Sequence, residues 1–293
     1  MPRKPLAFLT MDCLAGFIAY DELAKPPLAD RGWTVCDVSW RDPTACWDDF
    51  AAVIVRSPWD YHTDSSAFLQ VVEAIEQSTA RLLNPAEVIR WNIEKTYLDG
   101  LQQQGLSTVP TQWVHSPSTA DVDRAWSHFS VDEIVIKPTL GAGARDTYRL
   151  SRGRALPTDI VSLYQGRSVM LQPFLNSVVE QGEWSLFYFG DTYSHTVLKT
   201  PAPGDYRVQE EYGSDLQAVQ PAADLRHLAD ETIRTVNAIL SPTLYARIDL
   251  VRLADQSPAI IEVELIEPSL YFPYDEASPR RFAEAVNNVL RQP

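Results

Sequence analysis

The chain has 293 residues, 45% of them hydrophobic and 22% charged, a composition that suits a globular protein of two or three packed units and excludes a disordered or fibrous one. Its formal net charge of −14 repels a phosphate backbone, and no basic run offsets it, so general nucleic-acid binding is not expected. Cys13, Cys36 and Cys46 lack CxxC spacing, and His62, His115, His128, His195 and His227 are scattered, so neither a zinc site nor a disulfide framework is indicated. The apolar runs are short and Asp12 interrupts the N-terminal one, which argues against a signal peptide or membrane span and leads us to expect a soluble, cytoplasmic protein.

In chain order, "LAFLTMD" reads as a buried strand, "DELAKPPLADRGWTV" as a helix with a proline-marked break and a glycine end, and "WTVCDVSW" as a second strand, together a βαβ unit. A third buried strand, Ala52 to Val55, runs straight into Arg56, Trp59, Asp60 and Tyr61. Ligands gather at the carboxyl ends of strands in open α/β sheets, so Arg56, Asp60 and Tyr61 are candidates for substrate contact; the same residues would equally cap a turn over a packed Trp59. A helix near residues 65–78 follows, then "LLNPAEVIRWNIEKTYLDGLQQQG", a loop and helices ending at Gly105, with Asn84 and Pro85 as a hinge and domain boundary. "VPTQWV", "EIVIKPT", "DTYRLS" and "VMLQPFL" are strand-like. "EWSLFYFGDTYSHTVLKT" is a hairpin turned at Gly190 and Asp191, "DLRHLADETIRTVNAIL" an amphipathic helix, and "YARIDLVRLADQSPAIIEVELI" a closing hairpin. The expected division is an N-terminal α/β domain over residues 1–90, a central subdomain over 91–170 and a C-terminal subdomain over 171–293.

The stretch "IIEVELIEPSL" places Glu262, Glu264 and Glu267 among aliphatic residues. Strand alternation sends Glu262 and Glu264 to one face and Ile261, Val263 and Leu265 to the other, and burying such like charges costs several kcal/mol unless a cation lies between them. The hairpin can bring Asp249 opposite, so three carboxylates converge in a pattern that suits a hard divalent ion shared with substrate phosphates; solvent-facing glutamates on an edge strand are the other reading. "VIKPTLGAGARD" adds Lys137 at a strand end, followed by Gly141, Ala142, Gly143 and Ala144, small residues that let backbone N–H groups approach phosphate oxygens. Neither the Walker pattern nor the dinucleotide fingerprint is present, and such a loop is by itself often only a turn. Lys95, expected on a helix upstream, would supply a second positive charge.

The order of these parts resembles the ATP-grasp superfamily, in the branch that contains glutathione synthetase, D-alanine-D-alanine ligase and the D-cycloserine synthetase type. The resemblance runs from "WNIEKTYL" through "VIKPTLGAGARD", "LQPFLNSVVEQGEWSLFYFGD", "HTVLKTPAPGDYRVQEEYGS" and "YARIDLV" to "IIEVELIEPSLY". It implies an α/β (α+β) ATP-grasp fold and an ATP-dependent carboxylate-amine ligase working through an acyl phosphate, with ATP and Mg²⁺ as cofactors and Mn²⁺ as the alternative ion. By the same resemblance Lys95 and Lys137 contact the ATP phosphates, Gly141 to Ala144 form a lid, Gln172, Pro173 and Phe174 hold adenine, and Glu183 or Glu180 takes the ribose. Asp249 and Glu262 match metal ligands, while Glu264 stands where many members carry asparagine. Arg247 resembles the arginine that steadies the acyl phosphate, Lys199 and Arg207 a loop over the acceptor, and Ser269 a donor to a substrate carboxylate. Small carboxylate and amine substrates, a possible homodimer, and ring closure of an amino-acid derivative as an alternative to intermolecular ligation are further implications, against a rival reading as a nucleotide-binding regulator without turnover.

Overall fold

The structure, a computed structural model, describes residues 3–141, 143–154 and 156–291. Four parallel strands open the chain: β1 (Leu6–Thr10), β2 (Val35–Ser39), β3 (Ala52–Ser57) and β4 (Arg81–Leu83), in the order β2-β1-β3-β4. β3 is buried along its whole length, as a strand covered on both faces of a parallel sheet must be. The helix Ser65–Glu76 begins at Asp64, whose side chain accepts a hydrogen bond from the Ala67 N–H.

A second, antiparallel sheet contains β5 (Gln112–His115), β6 (Glu133–Pro138), β7 (Tyr148–Ser151) and β8 (Ser168–Pro173), in the order β5-β8-β6-β7. Its own core includes Trp126, Ile134, Ile136, Tyr164, Val169 and Leu171. Because β8 continues to Pro173, Gln172 belongs to this sheet, past the position at which the sequence reading divides the chain. The helix Thr119–Phe129 that covers it starts with a capping box between Ser118 and Asp121.

The third sheet is antiparallel and has five strands: β9 (Glu183–Phe189), β10 (Thr192–Thr200), β11 (Asp215–Ala218), β12 (Tyr245–Arg252) and β13 (Pro258–Glu264), in the order β11-β10-β9-β12-β13. Its core merges with that of the first sheet: Leu6, Phe8 and Ile54 pack with Phe187, Phe189 and Tyr245, and with Phe282 and Val286 of the C-terminal helix Ser278–Arg291. Truncating a buried aromatic such as Phe282 to alanine costs about 3–5 kcal/mol at sites of this kind.

Asn84, expected at a hinge, is instead a buried bolt. Its amide donates to the carbonyls of Tyr245 (3.0 Å) and Leu265 (2.7 Å), and its oxygen accepts from the Leu244 N–H (2.5 Å). A buried amide satisfied on both ends resists motion, since each lost bond would leave an unpaired polar group.

Candidate active site

A cleft of about 430 Å³ opens between the second and third sheets and the loops after β1 and β3. Its floor is one face of the third sheet, and the strand register sets the chemistry there. Lys199 of β10 lies opposite Glu183 of β9, Ser185 of β9 opposite Asp249 of β12, Asp249 opposite Glu262 of β13, and Arg247 opposite Glu264. Cross-strand partners share a face, so this register alone lines up the charged side chains.

The charges are joined by short contacts. Lys199 Nζ is 2.5 Å from Glu183 and 3.7 Å from Asp249, and Ser185 donates to Asp249 at 2.5 Å. The Arg247 Nε and one Nη donate to Asp249 at 3.0 and 2.9 Å, and the same Nη pairs with Glu264. Lys95 Nζ lies 3.0 Å from Glu262 and donates to the Gly141 carbonyl at 2.8 Å. Lys95 is therefore in place to meet the floor, but it sits in the turn between the helices Ala86–Asn92 and Tyr97–Gln103 and not on a helix. Lys199, expected on a loop, is a buried residue of β10.

Carboxylate oxygens of Asp249, Glu262 and Glu264 all lie within 4.8 Å of one another, the convergence expected from the hairpin. Burial would raise the Asp249 carboxyl, but Arg247 and Lys199 outweigh it and the group stays below its ordinary range; for Glu262, Lys95 and Lys137 likewise overcome burial. Glu264 goes the other way: burial pushes it up to about 8 despite Arg247, with Glu262 and Asp249 adding repulsion. The three carboxylates thus meet Arg247, Lys95 and Lys199 at close range. An all-oxygen set of three converging carboxylates fits a hard divalent ion such as Mg²⁺.

Lys137 of β6 reaches the cleft from the second sheet. Burial lowers its ammonium below the usual lysine range, Lys95 pushes the same way and Glu262 opposes. Gly141, Gly143 and Ala144 also border the cleft; Gly143 and Ala144 have φ of 61° and 53°, a backbone that glycine adopts without strain and alanine rarely. Ala142 lies outside the described residues. Gln172, Pro173 and Phe174 form part of the wall, with the Gln172 amide held by the Thr111 hydroxyl at 2.9 Å and the Phe174 ring under the Arg149 guanidinium at 3.6 Å. Arg207 lines the opening, bound to Asp205 and stacked 3.7 Å over Tyr212.

Three candidates stand elsewhere. Glu180 is exposed on the short helix Asn176–Gln181 and does not line the cleft, which leaves Glu183 as the carboxylate beside that wall. Arg56 is fully buried away from the cleft, paired with Asp21 at 2.9 Å and donating to the Pro268 carbonyl at 2.9 Å. Asp60 accepts from the Trp40 indole at 2.7 Å and from Arg41 at 2.9 Å. Both residues brace the loop after β3 through partners far away in sequence. Tyr61 and Ser269 do line the cleft.

Arg145 and Glu267 also line it without having been assigned a task from the sequence. Arg145 directly follows the small-residue loop, a signal that was available. Glu267, grouped with the strand carboxylates, lies beyond the end of β13 at Glu264, so alternation did not govern where it points.

The chain as a whole matches known proteins. Residues 6–84 match the family described as D-cycloserine synthetase DcsG, N-terminal domain. The cycloserine biosynthesis protein DcsG of Streptomyces lavendulae is 33% identical over 308 residues, covering 97% of this chain and 98% of that protein. The crystal structure of D-cycloserine synthetase DcsG superposes with a TM-score of 0.86 at 30% identity, over 98% of this chain and 99% of that one. The ATP-grasp ligase PsnB, at 14% identity and a TM-score of 0.69 over 99% and 100% of the two chains, shares the fold. The chain therefore belongs to the D-cycloserine synthetase family of ATP-grasp ligases.

Proposed function

We propose that this ligase uses ATP to activate the carboxylate of a small amino-acid derivative, and that a nitrogen of the same molecule then closes a ring. The observation that carries this reading is the row of register-matched charges on β9, β10, β12 and β13, facing Lys95 and Lys137 across one cleft. Similarity to a D-cycloserine synthetase over nearly the full length favours ring closure over intermolecular joining.

In this reading the substrate carboxylate attacks the γ-phosphorus, ADP departs, and the nitrogen attacks the acyl carbon with loss of phosphate and a proton. Lys95 and Lys137 bind phosphate oxygens, and Gln172 to Phe174 seat the base. Glu183, whose one oxygen is held by Lys199, offers the other to a ribose hydroxyl. Asp249, Glu262 and Glu264 would hold Mg²⁺, which supplies neutralisation of the phosphate charge when bound; Mn²⁺ takes the same oxygen donors and should substitute. Arg247 is held by two carboxylates and keeps an Nη without a partner among the described residues, free to steady the acyl phosphate. Most of the acceleration comes from positioning and fixed charge, and the loop at Gly141 to Ala144 excludes water that would hydrolyse the intermediate. Lys199 serves the floor as a buried counter-ion and Arg207 guards the opening.

The test is ADP release by purified protein with Mg²⁺ and ATP, with and without fractionated pools of small metabolites. Stimulation by one fraction, with a product that mass spectrometry identifies as the substrate less the atoms lost on ring closure, is the expected result. A product containing two joined molecules would replace ring closure by intermolecular ligation, and ATP binding without ADP release from any pool would favour a regulator.

A further inference from the structure

β13 is the last strand of the third sheet, so the backbone groups along its outer edge have no neighbouring strand of that sheet to bond. It also carries two of the three converging carboxylates, Glu262 and Glu264, which its register sets opposite Asp249 and Arg247 from the inner side. The outer edge is nevertheless paired. The Ile260 N–H donates to the Ser107 carbonyl at 2.8 Å, and the Ile260 carbonyl accepts from the Val109 N–H at 3.0 Å. Beyond that point side chains take over. The Val263 N–H donates to the Tyr97 hydroxyl oxygen at 2.9 Å, while the Asn92 amide donates to the Val263 carbonyl at 2.8 Å and accepts from the Leu265 N–H at 2.8 Å.

These side-chain bonds bracket the carboxylates. Val263 lies between Glu262 and Glu264, and Leu265 follows Glu264, so Asn92 spans the residue that carries one carboxylate as a peptide group of a neighbouring strand would, and Tyr97 fixes the backbone just after the other. Asn92 and Tyr97 are buried, and both border the cleft. They end the helix Ala86–Asn92 and begin the helix Tyr97–Gln103, and the turn between them carries Lys95. That turn is tied to the second sheet as well, because the Lys95 N–H donates to the Thr139 carbonyl at 2.8 Å, just past the end of β6. One short segment thus holds both the strand of the carboxylates and the lysine that pairs with Glu262. A buried amide or hydroxyl committed to backbone groups resists displacement of the strand, since any slip would leave those groups unpaired.

We infer that Asn92 and Tyr97 are positioning residues for the divalent-ion site: by pinning the outer edge of β13 they hold the Glu262 and Glu264 carboxylates in convergence with Asp249 and keep Lys95 beside Glu262. This rests on the reading of those three carboxylates as Mg²⁺ donors and deepens it. Neither residue supplies a carboxylate; each acts through the backbone of β13. Removing groups that orient a metal's ligands typically costs about 10- to 100-fold in metal affinity. The Tyr97 ring stacks on Trp91 with centroids 5.0 Å apart, so Tyr97→Phe removes the oxygen and keeps the packing of the ring. Tyr188 provides the control. Its hydroxyl donates to Asp230 at 2.6 Å, and it lies opposite Ala246 on the same sheet, out of phase with the cleft residues Arg247 and Asp249.

The experiment titrates ADP calorimetrically into the wild type, Tyr97→Phe, Asn92→Ala, Tyr188→Phe and Glu262→Gln, over a range of Mg²⁺ concentrations and with no divalent ion, and records the unfolding of each protein in denaturant. ADP affinity should rise with Mg²⁺ in the wild type. The Mg²⁺ concentration that gives half of this rise should increase about 10-fold in Tyr97→Phe and about 100-fold in Asn92→Ala, with ADP affinity in the absence of the ion within about twofold of the wild type. Tyr188→Phe should keep the wild-type Mg²⁺ dependence although it too loses a buried hydrogen bond. An unchanged Mg²⁺ dependence in Tyr97→Phe, the same shift in Tyr188→Phe, or an equal loss of ADP affinity with and without the ion overturns the inference; loss of the dependence in Glu262→Gln shows in each case that the carboxylate site itself stands. If Asn92→Ala does not fold, Tyr97→Phe against Tyr188→Phe decides. No Mg²⁺ dependence in the wild type overturns the reading of the carboxylates and this inference with it.

Discussion

The two ends of the cleft balance charge in opposite ways. On the floor, Asp249, Glu262 and Glu264 come with Arg247, Lys95 and Lys199 within contact distance, so that end is already a network of paired charges. At the seam with the first sheet, Glu267 has no ion pair among the described residues, and burial pushes its carboxyl up to about 7. A region that carries its own counter-ions can receive a ligand that brings both signs, such as phosphates with a metal.

Removing a floor carboxylate should have the largest effect. Glu262→Gln leaves Lys95 without its partner and removes one of three converging oxygen donors, and we expect ADP release to fall by at least about 100-fold while circular dichroism remains that of the native fold. Near-normal turnover by the folded variant would contradict the role of the floor.

Arg56→Met should separate the two ends. It breaks a buried ion pair with Asp21 and frees the Pro268 carbonyl, at a cost of about 3 kcal/mol of stability, measured by denaturant unfolding. Because Arg56 braces the loop that carries Glu267, KM for the substrate should rise while ADP affinity stays level. A parallel loss of both would show that the ends are not independent.

The smallest effect lies outside both ends. His195 stacks on Phe187 with ring centroids 4.3 Å apart, and its Nε2 donates to the Leu270 carbonyl at 3.1 Å; burial lowers its pKa from 6.5 to about 4. The unfolded chain takes up this proton near 6.5 and the folded protein only near 4, so the contribution is intact above 6.5 and is lost as the pH falls through that window. The slope from this one group is at most about 1.4 kcal/mol per pH unit. Melting curves should show the wild type losing more stability on acidification than His195→Gln; identical slopes would remove His195 from the account.

Much of the fold was legible because strand periodicity and hairpin turns are local. Alternation along residues 260–265 was enough to put Glu262 and Glu264 on one face, and the hairpin length was enough to bring Asp249 across. Partners supplied from a distance were not legible. Arg56 and Asp60 looked like substrate ligands because they follow a buried strand, but Asp21, Trp40 and Arg41 claim them. Asn84 beside Pro85 has the composition of a hinge, and only the third sheet turns it into a buried anchor. β4, three residues long, is too short to show a period and exists through its parallel pairing with β3. Glu267 was visible as a residue, but its lack of an ion pair among the described residues is a property of the folded cleft.

The central claim is that the floor is a nucleotide site completed by a divalent ion. It is tested most directly by titrating ADP into the wild type and Glu262→Gln over a range of Mg²⁺ concentrations. ADP affinity should rise with Mg²⁺ in the wild type and lose most of that dependence in the variant. The same Mg²⁺ dependence in both proteins would contradict it.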